Sequence, residues 1–577
     1  MRLLNAEQHG HLESAQLELT KPGELMRLAG QAVVREFLRH YPFVSEVIVL
    51  CGSGNNGGDG WVVAEQLRER NLSVRVLSFA ACDELSGDAK IAFERARAEG
   101  VEYLEITEFE GYKASLSTCK RIADVVFIDA LVGSGLNRTL AGLLGEVVEW
   151  INEQRAAVVS IDIPSGLNAD SCSISGPTVN ASLTVAILDA RIPHFVRPAA
   201  RCVGQLEIYH ADKPKNYRGE KGGDDPLLGL DCPGPFIELT SAAELDLSYL
   251  ARDIDTHKGD CGRVVIVGGS RGKAGAARLA GLAALRAGAG LVTLAVPNEC
   301  LPHVTHTSDY MTLGLEDADG LATGVGVDAI YDIQPDVIAV GPGLGVGSGP
   351  RELLEGILSC RESGSRPPLL VLDADALNIL ATDEGLLDSA LNTSSFRNPI
   401  VITPHPGEFA RLRGITVEEI ESDRIAAVMS FLSEIHPSSY VHLVLKGSQT
   451  LIADPGADHE GNISINTSGN PGMATGGSGD VLTGVIAAFL AGKKGGAKGY
   501  RPYSMGLGSF LVDAVYVHGH AGDLATAKMG QTSVIATDLI DHLGPAIVDL
   551  ESTDREVASA SLSNKWLGEL SLEGRSP

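Results

Sequence analysis

The segment NTSGNPGMATGGSGDVLTGVIAAFL, Asn466 to Leu490, sets Gly477, Ser478, Gly479 and the carboxylate of Asp480 at the mouth of a long apolar helix. Backbone N–H groups at a helix start are free to hold an anion, and glycines let the anion come close. A carboxylate in the first turn is stabilised by the helix dipole, which keeps it ionised and able to take a proton from a hydroxyl. An anion site beside a base is the equipment of phosphoryl transfer onto an alcohol. An acidic helix cap by itself would not need the neighbouring glycines. Upstream, KGSQTLIADP puts Lys446, Gly447, Ser448, Gln449 and Thr450 on a turn at the end of a strand. A lysine and a hydroxyl placed there suit nucleotide phosphates.

A second glycine-rich turn lies near the other end of the chain, in VIVLCGSGNNGGDGWVVAEQL, Val47 to Leu67. A strand, a glycine loop and a helix form a phosphate cradle in many folds. Here the spacing is neither GxGxxG nor that of a P-loop, and Asn55, Asn56 and Asp59 add side-chain oxygens. Those oxygens suit a cation or a ribose hydroxyl as well as a phosphate, so the turn marks a site without naming its ligand.

The elements that must position these residues are those of an α/β protein. The runs EVIVL, SVRVLSF, ADVVFIDA, AAVVSIDIP, SLTVAIL and QLEIY alternate with amphipathic stretches such as WVVAEQLRER. Short apolar strands alternating with helices predict a parallel sheet covered on both faces. From about Lys213 the pattern breaks into KPKNYRGEKGGDDPLLGLDCPGP, which reads as a linker. A second series then begins with RVVIVGG and runs through GLVTLAV, DVIAVGPG, PLLVLDADALNIL, PIVITPHPGEF and VHLVLKGSQTLIADP. The expected organisation is two tandem three-layer αβα domains: residues 1–215, a linker over 216–248, residues 249–550, and a Ser- and Glu-rich tail over 551–577. A net charge of −28 argues against nucleic acid or an anionic membrane as the main partner. No apolar run is long enough for a membrane span, and nine cysteines without a CxxC pair fit a reducing cytoplasm.

Read together, HKGDCGRVVIVGGSRGKAGAARLAGLAALRAGAGLVTLAVP, VGPGLG, LDADALNIL, TPHPGEFARL and NPGMATGGSGDVLTG resemble the ribokinase-like superfamily. The finer similarity is to its ADP/ATP-dependent NAD(P)H-hydrate dehydratase branch. GNNGGDG, DALVGSGL and SIDIPSGLNAD resemble the Rossmann-like NAD(P)H-hydrate epimerase domain. The chain is thus identified as a member of the family that joins both activities, over about residues 1–212 and 250–548.

The resemblance implies that Asn56 helps hold a potassium ion, with Asp129 and Ser165; amide, carboxylate and hydroxyl oxygens are hard ligands for a hard cation. It implies that Asn55, Asn56, Gly57, Gly58 and Asp59, with Gly133, Ser134, Gly135, Leu136, Asn137, Arg138 and Thr139, line the hydrated dinucleotide. Asp162, at a strand's C-terminal end, faces the crevice where open α/β sheets bind ligands and is the expected acid/base group. In the second domain Ala276, Gly343, His405 and Asp480 are expected to touch the hydrated substrate, and Lys446 to Thr450 with Gly477 to Gly479 the nucleotide. The implied co-substrate is ADP or ATP with Mg2+, and the implied assembly is a homo-oligomer. Two features depart from the family pattern. Arg191 stands where a lysine is common, and LMRLAG lacks the acidic residue usual after LM. Arginine keeps the charge but is a poor proton donor. A rival expectation is a small-molecule hydroxymethyl kinase carrying a non-catalytic first domain.

Overall fold

The computed structural model describes residues 1–18, 20–109, 113, 125–154, 156–210, 236–305, 309–360, 367–392, 399–436, 439–455, 461–492 and 506–552. These fall into two compact units, one formed mainly by residues 2–210 and the other by 236–421 and 427–552.

The first unit is a seven-stranded parallel sheet. Across the sheet the strands run Glu102–Glu105, Ser73–Ser78, Glu46–Cys51, Val125–Ala130, Ala157–Ile161, Leu183–Ile187 and Gln205–Tyr209. Six of the seven are the apolar runs read from the sequence. The four central ones carry little polar alternation because helices cover both faces, whereas Ser73–Ser78 and Gln205–Tyr209, nearer the edges, alternate in part. The seventh, Glu102–Glu105, is an exposed edge strand whose polar composition hides it from an apolar-run search. The chain starts the sheet at Glu46–Cys51, winds outward to Glu102–Glu105, then crosses back to Val125–Ala130 on the other side. Those two central strands pair in register, Leu50 with Asp129 and Cys51 with Ala130, and form the switch point where open α/β sheets bind ligands.

In the second unit ten strands follow the order Ile237–Leu239, Asn462–Ile465, Leu451–Asp454, Val441–Leu445, Ile400–Ile402, Leu369–Leu372, Val337–Val340, Arg263–Val267, Leu291–Pro297 and Met311–Leu315. Those from Val441–Leu445 to Met311–Leu315 are parallel, and Leu451–Asp454 turns back antiparallel. Helix Ser478–Gly492 is buried along most of its length and packs on helix Ala274–Arg286. The two approach at backbone distance: a Cβ on Gly484 would lie 2.1 Å from the Ala280 carbonyl oxygen. The alanines of the second helix are the price of that approach.

Residues 236–248, read above as part of a linker, contribute the strand Ile237–Leu239 and the buried Leu245 and Leu247 to this unit. The rest of that linker, residues 216–235, and the tail beyond Ser552 lie outside the described residues. Among the described residues no helix is long and apolar enough to cross a membrane.

Candidate functional sites

In the first unit the residues from Asn55 to Asp59 are not a loop. They form the opening of helix Asn55–Glu69, capped by Gly54 without any side-chain bond, so the first N–H groups stay available. None of Gly52, Gly57, Gly58 or Gly60 has a positive φ. Their smallness serves contact instead. A Cβ on Gly52 would lie 1.8 Å from Leu131 O, one on Gly57 2.0 Å from Gly52 O, and one on Gly60 2.6 Å from the Ala130 Cβ. The glycines let the helix begin directly on the two central strands.

Asn56 is 8% exposed, and neither its amide oxygen nor its nitrogen has a hydrogen-bond partner. Gly133 backs onto it, since a Cβ there would lie 3.2 Å from Asn56 Cγ. An orphaned buried amide is expensive unless something binds it. Asp129, at the end of its strand, is fully buried. Its carboxylate accepts from Ser165 Oγ at 2.5 Å, Ser165 N at 2.9 Å, Ser160 Oγ at 2.8 Å and Leu131 N at 3.3 Å. Burial pushes this carboxyl above the usual range, and the Ser165, Ser160 and Leu131 donors oppose the shift. Asp129 and Ser165 are therefore directly joined, with hard oxygens and an open amide beside Gly133, a donor set that fits a monovalent cation. The segment from Gly133 to Thr139 is irregular, and Gly135, Asn137, Arg138 and Thr139 are exposed. Thr139 Oγ1 reaches the Ser175 carbonyl at 3.5 Å.

Asp162 sits just past strand Ala157–Ile161 with φ +66°, a left-handed conformation unusual for aspartate and common at functional sites. Its Oδ2 accepts from Arg191 Nη1 at 2.7 Å and its Oδ1 from Ile187 N at 3.4 Å. Arg191 is 1% exposed and also donates through Nη2 to His9 Nε2 at 2.6 Å. His194 Nδ1 accepts from Arg191 N at 3.1 Å. Burial would raise the Asp162 carboxyl, but Arg191, then His9 and His194, bring it below the usual range. Burial and the neighbouring Arg191 push both His9 and His194 down to about 4, so both rings are neutral near pH 7. Asp59 behaves oppositely: burial, then the charges of Asp162 and Glu13, push it well above the carboxylate range. Glu13 is raised by burial and Asp162. The cluster thus sets an ionised carboxylate, Asp162, beside two whose proton affinity is raised, Asp59 the more strongly.

In the second unit Gly477 takes φ +92°, as only glycine does readily, and turns the chain into helix Ser478–Gly492. Asp480 is partly buried and, among the described residues, makes no hydrogen bond or ion pair. Burial, then Asp373, raises its carboxyl to about 6; Asp375 and Glu408 add to the rise and Lys446 opposes it. The dipole is therefore outweighed by burial first and by the neighbouring carboxylates second. The group remains mostly ionised at pH 7, but its affinity for a proton suits a general base.

Lys446 follows strand Val441–Leu445 and lies beside that helix start, 3.4 Å from where a Cβ on Gly479 would stand. It donates to Asp373 Oδ1 at 2.6 Å and is 3.8 Å from Glu408. Gly447 and Ser448 are exposed on the same turn, while Gln449 and Thr450 are buried. Thr450 Oγ1 accepts from Gly447 N at 3.3 Å, which uses the hydroxyl inside the turn. Gly343, with φ +63°, abuts Ala276: a Cβ on it would lie 3.0 Å from the Ala276 Cβ. His405 caps helix Pro406–Arg413, its Nδ1 accepting from Gly407 N and Glu408 N, while Glu408 Oε2 accepts from His405 N. Burial, then Lys446 and Arg411, lowers the His405 ring below its usual value. Asp480, Lys446 and Gly479 thus converge, with His405 joined through Glu408.

Sequence reasoning missed His9, Glu13 and His194 in the first site, and Asp373, Asp375 and Glu408 in the second. The last three stand in LDADALNIL and TPHPGEFARL, just past strand ends, and that position was the available signal. His9 and Glu13 lie on a polar N-terminal helix with nothing local to single them out. A separate cluster of Glu36, His40 and Glu207 has metal-ligand geometry, but Arg39 already bridges Glu36 and Glu207.

A parallel sheet with Asn56, Asp129 and Asp162 near its switch point, and a mainly parallel one with a helix start beside Asp480 and Lys446, define a protein of two tandem α/β units, each with a candidate site. Residues 264–545 match the family described as NAD(P)H-hydrate dehydratase, and residues 22–191 the family described as YjeF-related protein N-terminus. The bifunctional NAD(P)H-hydrate repair enzyme of Moorella thermoacetica is 36% identical over 571 residues, covering 97% of this chain and 99% of that one. Its counterpart in Escherichia coli is 34% identical, covering 94% and 92%. The chain therefore belongs to the bifunctional NAD(P)H-hydrate repair enzyme family. Among solved structures, the ADP/ATP-dependent NAD(P)H-hydrate dehydratase of Bacillus subtilis, co-crystallised with ATP and Mg2+, is 27% identical. It covers 52% of this chain and 94% of its own, with a TM-score of 0.40.

Proposed function

We propose that the chain repairs hydrated NADH and NADPH in two ways. One unit interconverts the R and S epimers at C6 of the hydrated nicotinamide ring, and the other dehydrates the S form at the expense of ADP or ATP with Mg2+. The activities divide along the chain, epimerase in residues 1–215 and dehydratase in 249–550. The observation that carries the dehydratase reading is the unpaired Asp480 carboxyl at a helix start beside Lys446.

Direct expulsion of hydroxide from C6 is poor chemistry near pH 7. In the proposed step the C6 hydroxyl oxygen attacks the terminal phosphorus of the nucleotide, the bridging P–O bond breaks to release AMP from ADP or ADP from ATP, and Asp480 takes the hydroxyl proton. The N–H groups of Gly477 to Gly479 and the Lys446 ammonium hold the transferring phosphoryl. The bond from C6 to the phosphorylated oxygen then breaks as the ring nitrogen supplies its lone pair, and loss of a proton from C5 restores the reduced ring. Ala276, Gly343 and His405 are the proposed contacts to the hydrated substrate, and Lys446 to Thr450 those to the nucleotide.

In the first unit Asp162, held ionised by Arg191, is the proposed proton acceptor. Asn55 to Asp59 and Gly133 to Thr139 are the proposed dinucleotide contacts. A potassium ion held by Asn56, Asp129 and Ser165 would supply positive charge near the substrate phosphates of an acidic protein. We take the working form to be a cytoplasmic homo-oligomer.

The test follows the reduced-nicotinamide absorbance of hydrated NADH supplied with ADP or ATP. Recovery supports the reading. A phosphorylated small molecule that accumulates without recovery supports the kinase alternative instead.

A further inference from the structure

The second site holds a buried carboxylate that the proposed phosphoryl transfer leaves without a task. Asp373 follows strand Leu369–Leu372 and is 1% exposed. Its Oδ1 accepts from Lys446 Nζ at 2.6 Å and its Oδ2 from Thr483 Oγ1 at 2.6 Å. Thr483 lies three residues beyond Asp480 on the same helix, and three-residue neighbours share a helix face. The backbone around Asp373 leaves it little freedom. A Cβ on Gly341, where φ is +126°, would lie 1.8 Å from Asp373 O, and the next residue, Ala374, takes φ +47°. As a purely structural device the arrangement returns little, because burying an ion pair costs about as much as the pair recovers.

We propose that Asp373 is a positioning residue for phosphoryl transfer: one oxygen grips Lys446 and the other grips Thr483, so the ammonium is held against the first turn of the Asp480 helix. The inference rests on the reading of Asp480 as the base. The groups around Asp480 show why a grip is needed. The charges of Asp373, Asp375 and Glu408 all act on it, and Lys446 is the cation that Asp373 and Glu408 share. Asp375 has its own partners in Lys273 Nζ at 3.5 Å and Gly345 N at 2.8 Å. His518, from helix Leu507–Met529, contacts Ser478 O at 3.1 Å and is kept neutral by burial. An ungripped ammonium would close onto Glu408 or Asp480 and leave the transferring phosphoryl without it. With Asp373 in place, Lys446 stays charged and aimed at Gly479, and Asp480 stays free to receive a proton.

The test is Asp373→Asn in the full chain. Dehydration kcat is expected to fall at least about tenfold, with nucleotide KM changed by less than about threefold, as for a lost orientation and not a lost binding contact. The acid limb of the kcat profile should also move to lower pH, because a negative neighbour of Asp480 is gone and Lys446 is released towards it. Thr483→Val, which removes one grip without changing charge, should lower kcat while leaving the acid limb in place. This second variant carries the test if Asp373→Asn does not fold. Unchanged kcat in Thr483→Val, or an unmoved limb in folded Asp373→Asn, overturns the proposal. Failure of the underlying reading looks different: Asp480→Asn would then keep wild-type dehydration.

Discussion

The two sites treat their central aspartate in opposite ways. Asp162 is locked to Arg191 and held ionised, while Asp480 has no direct partner among the described residues, and burial, then neighbouring carboxylates, raise it to about 6. A carboxylate held this way is ionised and ready to accept a proton, and Asp59, which burial and then the charges of Asp162 and Glu13 push well above the carboxylate range, is a neighbour able to supply one. Environments that push paired titratable groups apart assign acid and base roles. A carboxylate with no partner and a raised proton affinity exchanges a proton without giving up an ion pair. The cation beside it, Lys446, is bonded to a different aspartate. What Arg191 contributes to the first site is charge and orientation, through its bonds to Asp162 and His9.

The strongest break between the two sites is Asp480→Asn. The amide is nearly isosteric but cannot take a proton, so dehydration kcat should fall at least about 10²-fold. Epimerisation, followed separately on the R and S forms, should be unchanged. Equal loss of both activities would remove the distinction.

Arg191→Met should break the first site by leaving Asp162 buried and unpaired. Removing one partner of a buried pair costs about 3–5 kcal/mol, which urea unfolding would read as a lower midpoint of the first unit. Arg191→Lys should restore much of that stability, and its epimerisation rate reports whether the bidentate reach to Asp162 and His9 matters beyond charge. The same site should weaken in acid. His9 and His194 have folded values near 4 against about 6.5 unfolded, so their contribution is present above that unfolded value and is lost as pH falls towards 4.

Asp480 has the reverse sign. Its folded value near 6 lies above the unfolded value, so its ionisation destabilises the fold at neutral pH and the penalty fades as pH falls through about 6. Asp480→Asn should therefore gain up to about 3 kcal/mol at pH 8 and less than about 1 kcal/mol at pH 4, measured as a difference in thermal midpoint. A gain independent of pH would show that the carboxylate is not under electrostatic strain.

The smallest expected effect is at the proposed potassium position. Added potassium should raise the thermal midpoint of the wild-type chain and its epimerase rate, by mass action on the folded state. Asp129→Ala should abolish both responses while leaving dehydration of the S form intact. An identical potassium response in the variant would assign Asn56, Asp129 and Ser165 to turn formation alone.

Much of this molecule could be read along the chain. Apolar runs such as EVIVL and DVIAVGPG mark strands because both faces of a parallel sheet are buried, and GGSGD marks a helix start because glycines and a carboxylate there have one common use. Local pattern determines such features, since they depend on neighbours within a turn or two. Elements outside that rule escaped: the exposed strand Glu102–Glu105, and Ile237–Leu239, a strand only because it pairs with Asn462–Ile465. The partners of the site residues belong to the same class. That Lys446 grips Asp373, 73 residues away, that Arg191 reaches His9 across 182, and that Asp480 titrates near 6 all depend on distances set by folding. Charge interactions and burial act through space, so the residue types were legible in the sequence while their protonation and pairing were decided only in the tertiary structure.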